Sequence, residues 1–353
     1  MKTTLFTLEF PPQTGGVAKY YGALAQNWQP ASDFSVILAA NLTGPQKYRQ
    51  YIRQLQREYH RGTRNFIAGQ ILPLGTALYL YSLIKKIDYS VILHGLDFSL
   101  ATKNPWRRYL SRKILRRAKQ IICANSYTQK QVQAFLLAKE SHIFVVNPGV
   151  SAPKNGEEIA LVAKKLKDKY QIANQRIIFS LGRLVKRKGF DNLIAAWQEI
   201  KTTDSDSLLV IAGSGPEEAE LKKMAGDERR IIFLGKIAET EKWAWLEIAD
   251  IFALPARDLA GDYEGFGIVY LEAGLAGKAV LAGRTGGVED AVIDNQTGVL
   301  VNGEKREEIA AALLKLLADQ NWREKLGTAG KRRAEIDFSE KIQASKIQKI
   351  LSL

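Results

Sequence analysis

Cysteine is almost missing from this chain: Cys123 is the only one in 353 residues. No disulfide can form within it, which excludes a disulfide-stapled scaffold and fits a cytoplasmic protein. Cys123 lies in the apolar run "QIICAN" and reads as a small buried hydrophobe. Histidine is nearly as scarce. His60, His94 and His142 are scattered, so no set of metal ligands is expected. No stretch approaches the ~18 unbroken apolar residues of a membrane span. The opening "MKTTLFTLEFPP" runs directly into strand-like sequence, and no signal peptide is expected.

Acidic residues are short in one half only. Residues 1–150 hold 20 Lys/Arg against 6 Asp/Glu, whereas residues 151–353 hold 31 of each. The whole excess of +14 therefore belongs to the first half. An acidic partner met by that half alone would explain the asymmetry.

What is present is one plan, used twice. Short β-branched runs alternate with helical patterns: "TTLFTLE" (3–9), "FSVILAA" (34–40), "YSVILHG" (89–95), "QIICANS" (120–126) and "HIFVVNPG" (142–149) read as strands. The second half follows with "RIIFSLGR" (176–183), "SLLVIAGSG" (207–215), "RIIFLGK" (230–236), "DIFALPA" (250–256) and "KAVLAG" (278–283). Apolar strands between helices imply an α/β fold with parallel sheets covered on both faces. The expected organisation is a basic N-terminal domain (1–150), a second domain (151–336) and a C-terminal helix (337–353) packing back on the first. The Pro- and Gly-bearing "NPGVSAPKNGEE" (147–158) serves as linker.

Strand ends carry the chemistry in this fold class. Gly15 and Gly16 follow the first strand and precede a helix, where backbone N–H groups could meet an anion; an ordinary tight turn fits this stretch equally well. "GSGPEEAE" (213–220) is no dinucleotide fingerprint, because Glu218 stands where a third glycine belongs. In "SLGRLVKRKGF" (180–190), Arg183 and Lys188 offer a fork and a point charge suited to a diphosphate. "EGFGIVYLE" (264–272) spaces Glu264 and Glu272 across an apolar run that a plain core helix would not bracket with carboxylates.

Together with "GGV" (15–17) and "TGGVEDAVIDNQTGVLV" (285–301), these motifs resemble the family-4 group of retaining glycosyltransferases with the GT-B fold: two Rossmann-like domains facing each other across a cleft. The resemblance runs along nearly the whole chain and is strongest over 176–301. It implies that Glu264 lies beside the donor sugar and that Glu272 holds the ribose hydroxyls. Gly267 and Ile268 would offer backbone N–H groups, and the backbone near Lys236 and Ile237 would read the base. Retention is implied too, with the leaving diphosphate accepting the acceptor's proton while Arg183 and Lys188 stabilise its charge. "LHGLDFS" (93–99) would place His94 near the donor sugar, with Asp97 a candidate acceptor contact. No metal or other cofactor is expected, since "TTDSDS" (202–207), with its Asp204-Ser205-Asp206, precedes a strand and reads as a solvated turn. UDP, GDP and ADP donors are not separable here.

The basic half has an amphipathic pattern. "PWRRYLSRKILRRAKQ" (105–120) sets Arg108, Arg112, Arg116 and Lys119 on one helical side and Trp106, Leu110 and Ile114 on another. "KYRQYIRQLQREYHRGTR" (47–64) repeats the idea with Arg53, Arg57 and Arg61. Such helices suit an anionic membrane surface, although a solvated charged face is the ordinary alternative. The expected function is transfer of a hexose or N-acetylhexosamine from a nucleotide sugar to a lipid-linked or lipopolysaccharide-type glycan, at the inner face of the cytoplasmic membrane. A soluble acceptor is the near alternative. A nucleic-acid-binding role for residues 1–150 is the distant one, and it leaves Glu264, Glu272, Arg183 and Lys188 without a purpose.

Overall fold

The computed structural model describes residues 2–13, 15–39, 44, 46–137, 142–204 and 206–353. Ser205 of the Asp-x-Asp turn, Thr14 of the first glycine loop and Ala40 at the end of the second expected strand lie outside them. The chain forms two compact units, one of Met1–Gly149 with Ser339–Leu353 and one of Val150–Phe338.

The first unit holds a parallel sheet of β1 (Thr3–Thr7), β2 (Phe34–Leu38), β3 (Asn65–Ala68), β4 (Asp88–Leu93), β5 (Ile121–Cys123) and β6 (Ile143–Val145), in the order β2-β1-β3-β4-β5-β6. β3 was not anticipated: "NFIA" is four residues long and gives no period to read, yet it is central and wholly buried. One apolar layer packs Phe6, Phe66, Leu78 and Leu115 on one face of the sheet. On the other, Leu5, Tyr20, Tyr21 and Leu24 meet Ala344, Ile347 and Leu351 of the terminal helix Glu340–Ser352. That helix belongs to this unit because its apolar side completes the second layer.

The second unit has β7 (Arg176–Leu181), β8 (Ser207–Ala212), β9 (Ile231–Gly235), β10 (Ile251–Leu254), β11 (Ala279–Gly283) and β12 (Val299–Val301), ordered β12-β11-β10-β7-β8-β9. β12 was likewise unforeseen, a three-residue edge strand inside "TGVLV". This is the doubly wound nucleotide-binding order, and its direction reverses between β7 and β10. Ile178 of β7 lies beside Ile251 of β10 at the reversal. In this fold class ligands bind beyond the C-terminal ends of the strands at such a reversal. In the first unit the reversal falls between β1 and β3.

Candidate active site

In the second unit, the segments that leave β7 and β10 meet at one carboxylate. After β7 the chain makes a short 3-10 turn, Lys186–Lys188, before the helix Phe190–Thr203. That turn carries Arg187 and Lys188 to Glu264 in the loop after β10. Lys188 Nζ lies 2.6 Å and Arg187 Nη1 2.5 Å from the same oxygen, Oε2. Arg187 Nε also reaches Asp262 Oδ1 at 3.2 Å. Lys188 and Glu264 are both buried. Burial alone would raise the Glu264 carboxyl, but the cations of Lys188 and Arg187 outweigh it and hold it below the usual carboxylate range.

The loop is tied down by further contacts. Arg187 O accepts from Arg257 N at 2.8 Å, and Arg257 Nη2 donates to Asp191 Oδ2 at 2.7 Å. The backbone of Glu264 is held by the "TGGVED" segment, since Gly287 N–H donates to its carbonyl at 3.2 Å. Gly286 adopts φ +53°, and a Cβ there would stand 2.2 Å from Glu264 O and 2.5 Å from the Tyr263 ring. Two motifs distant in sequence thus form one turn against another, and the glycine is required by that close approach.

Gly267, with φ +79°, precedes the helix Ile268–Leu275, which contains Glu272. Glu272 Oε1 receives Lys242 Nζ at 2.6 Å, and both side chains are buried. Lys242 comes from the helix Glu239–Ile248 and also pairs with Glu239. That helix starts just after Lys236 and Ile237, which follow β9. Glu264 and Glu272 therefore each have their own cation partner. Arg183 is exposed beyond β7 and makes no side-chain hydrogen bond or ion pair among the described residues. Asp204, on the Asp-x-Asp segment, is not a solvated turn residue as expected: it is buried, with Arg176 Nη2 at 2.7 Å and Ser207 Oγ at 2.9 Å from Oδ2. It ties the start of β7 to the start of β8.

The first unit gathers polar groups at the ends of β1 and β4. Gly15 and Gly16 open the helix Gly16–Gln26, and Glu9 Oε2 stands 3.8 Å from where a Gly15 Cβ would be. His94 Nε2 and Tyr21 Oη are 2.9 Å apart, and the rings of Tyr20 and Tyr21 flank the imidazole edge-on. Burial pushes His94 down to about 4, so the ring is neutral at physiological pH. Asp97 Oδ1 accepts the backbone N–H groups of His94, at 2.9 Å, and Gly95, at 3.0 Å. Burial pushes Asp97 up to about 6 against the lowering effect of those bonds.

Sequence reasoning missed Arg187, Lys242 and Glu9. Arg187 was legible as a neighbour of Lys188, but the turn that points both at Glu264 was not. Lys242 lay in "TEKWAW", where nothing marks a lysine as buried.

The basic helices differ from expectation. In the helix Pro105–Arg117, Ser111, Ile114 and Leu115 are buried, whereas Trp106 is exposed and stacks on Tyr109 instead of joining the apolar side. Arg112 Nη2 and Arg116 Nη2 donate to the carbonyls of Phe135 (3.0 Å) and Leu136 (3.3 Å), capping the end of the helix Ser126–Leu136. Arg108 lies over the Phe135 ring. Lys119 is paired with Asp88 at 3.9 Å. These four cations answer neighbouring groups, because helix-end carbonyls, an aromatic face and one carboxylate offer them partners.

Residues 162–333 match the family model described as glycosyl transferases group 1. The chain is 30% identical over 386 residues to a GDP-mannose-dependent monoacylated alpha-(1-6)-phosphatidylinositol monomannoside mannosyltransferase from Corynebacterium glutamicum, covering 99% of this chain and 97% of that one. It belongs to the group 1 glycosyl transferases. A GDP-mannose-dependent alpha-(1-6)-phosphatidylinositol monomannoside mannosyltransferase from Mycolicibacterium smegmatis is 28% identical, with 99% and 97% coverage. The sucrose-phosphate synthase of Thermosynechococcus elongatus superposes with TM-score 0.80 at 19% identity over 99% of this chain and 98% of the other. That likeness establishes the GT-B fold. Glu264 and its cations Lys188 and Arg187 lie at the switch point of the second sheet of this fold.

Proposed function

We propose that this group 1 glycosyl transferase moves a hexose, with retention, from a nucleoside-diphosphate sugar to a lipid-linked glycan at a membrane surface. The carrying observation is the pairing of Glu264 with Lys188 and Arg187 beyond β7 and β10. Two cations beside one carboxylate can serve both parts of a sugar diphosphate. On donor binding Lys188, with Arg183 and Arg187, answers the diphosphate, while Glu264 accepts hydrogen bonds from sugar hydroxyls. Glu272 holds the ribose diol, fixed in place by Lys242. Neutral His94 contributes a hydrogen bond at the sugar, and the leaving diphosphate takes the acceptor's proton. Asp97 serves the acceptor side, its placement set by the backbone bonds it accepts. No metal enters this scheme.

The names of the relatives support GDP-mannose as donor and a phosphatidylinositol mannoside as the acceptor class. Among the described residues no helix is long and apolar enough to cross a membrane, so contact with such an acceptor would be made from the membrane surface. The test is thermal stabilisation by UDP, GDP, ADP and their sugar conjugates, without added metal. A ligand at ~100 times its dissociation constant stabilises by about 2.7 kcal/mol. The expected result is a shift with GDP and GDP-mannose that exceeds those with UDP and ADP. Equal, absent shifts across the whole panel would overturn the proposed nucleotide site.

A further inference from the structure

The strongest unexplained feature is an apolar outward face on the first unit, built by two consecutive helices. Leu96–Ala101 begins directly after the His94–Gly95 turn. Within it Asp97 turns back to that turn, while Leu96 and Leu100, four residues apart on one side, are each 50% exposed. In Pro105–Arg117, Trp106 is 70% and Tyr109 56% exposed, stacked with ring centroids 6.2 Å apart. The helices are pinned together by Ser111 Oγ donating to Ala101 O at 2.9 Å, with Arg107 Nη1 reaching Leu100 O at 3.5 Å. Four large apolar side chains, each at least half exposed, are more than scattered surface hydrophobes require.

Charge identifies the occupant. Residues 98–139 contain ten Lys/Arg and no Asp or Glu. Around the apolar face stand the exposed Lys103, Arg107 and Lys113, the last lying over the Tyr109 ring. Apolar side chains with a Trp and a Tyr, rimmed by cations, match the layering of a bilayer interface, with acyl chains beneath anionic headgroups.

We propose that Leu96, Leu100, Trp106 and Tyr109, ringed by Lys103, Arg107 and Lys113, seat the enzyme on an anionic lipid bilayer. This rests on the glycolipid-acceptor reading above and names the surface that meets the membrane. The seat starts two residues after His94, so a bound bilayer brings acceptor headgroups to the same loop that carries His94 and Asp97. Arg112 and Arg116, spent on the carbonyls of Phe135 and Leu136, are not part of it.

Flotation with phosphatidylglycerol–phosphatidylcholine vesicles at physiological salt tests the assignment. Three proteins are compared with wild type: Leu100→Ser/Trp106→Ser, Lys103→Gln/Arg107→Gln/Lys113→Gln, and Arg53→Gln/Arg57→Gln on the other basic helix. Each cation at an anionic surface contributes about a fivefold change in partition. The first two variants should therefore lose at least tenfold in vesicle binding, with unchanged melting and unchanged donor hydrolysis in solution, while the third stays near wild type. Undiminished flotation of the first two beside loss in the third overturns this seat and leaves the glycolipid reading standing. No flotation of wild type overturns both. Wild-type self-association in sedimentation that Leu100→Ser/Trp106→Ser abolishes, without vesicle binding, assigns the face to a second copy and overturns the lipid proposal.

Discussion

Lys188 Nζ lies 2.6 Å from Glu264 Oε2, and Arg187 Nη1 shares that oxygen from the other side of the same turn. The carboxylate is the counter-charge that allows two cations to stand together in a buried place. Glu264→Gln takes the counter-charge from Lys188 and leaves Arg187 with Asp262 alone. We expect a loss of ~3–5 kcal/mol in stability, as for other broken buried pairs. A nucleoside diphosphate brings negative charge back to the same place, so its thermal shift should be larger in the variant than in wild type, while sugar transfer falls by at least tenfold. A thermal shift reduced in step with turnover would separate the cations from the diphosphate and count against the assignment.

Gly286 makes a second, purely geometric prediction. Its Cβ would intrude on the Glu264 carbonyl, and its φ is left-handed. Gly286→Ala should cost at least ~1–3 kcal/mol from strain and displace Glu264. Gly277 has a similar φ, +71°, with nothing within 4 Å of its Cβ position. Gly277→Ala should show only a backbone cost of ~1 kcal/mol and normal turnover. Equal turnover in the two variants would mean that the Gly286 contact does not position Glu264.

The paired strand plan, the glycine loops and both glutamates were legible because strand ends and apolar runs leave local traces. β3 and β12 were not, since runs of three and four residues carry no period and their burial depends on the sheet around them. Lys242 and Arg187 were hidden for a related reason: a lysine or arginine looks the same in sequence whether it is solvated or buried against a carboxylate 30 or 77 residues away. Trp106 shows the same limit. A helical wheel groups it with Leu110 and Ile114, but its place in the first turn leaves it beyond the neighbouring helices.

His94 and Asp97 give a prediction about pH. His94 titrates near 4 when folded and near 6.5 in an ordinary setting, so the unfolded chain takes up its proton more readily between those values. Its contribution to stability therefore rises with pH across that window. Asp97 titrates near 6 when folded, against 3.8 ordinarily, so the folded chain holds its proton more readily and its contribution falls as pH rises from 3.8 to 6. Each effect amounts to at most about 3 kcal/mol, and they oppose. Relative to wild type, His94→Gln should lose stability from pH 4.5 to 6, and Asp97→Asn should gain it. Urea midpoints at four pH values suffice, and parallel curves for all three proteins would refute the linkage.

Lys242 and Glu272 supply the last prediction. Their 2.6 Å pair is buried on both sides and joins the helix after β9 to the helix after Gly267. If Lys242 orients Glu272 for the ribose, two effects belong to one pair. Lys242→Met and Glu272→Gln should each cost ~3–5 kcal/mol, because each breaks a buried ion pair. The double variant should cost less than the two together, by ~0.5–3 kcal/mol. Nucleotide affinity separates this from a merely structural role. Lys242→Met should weaken GDP binding through Glu272, and in the Glu272→Gln background the same change should have no further effect on that affinity. If Lys242→Met weakens binding by the same factor in both backgrounds, the lysine acts on the nucleotide by another route, and Glu272 is not oriented by it.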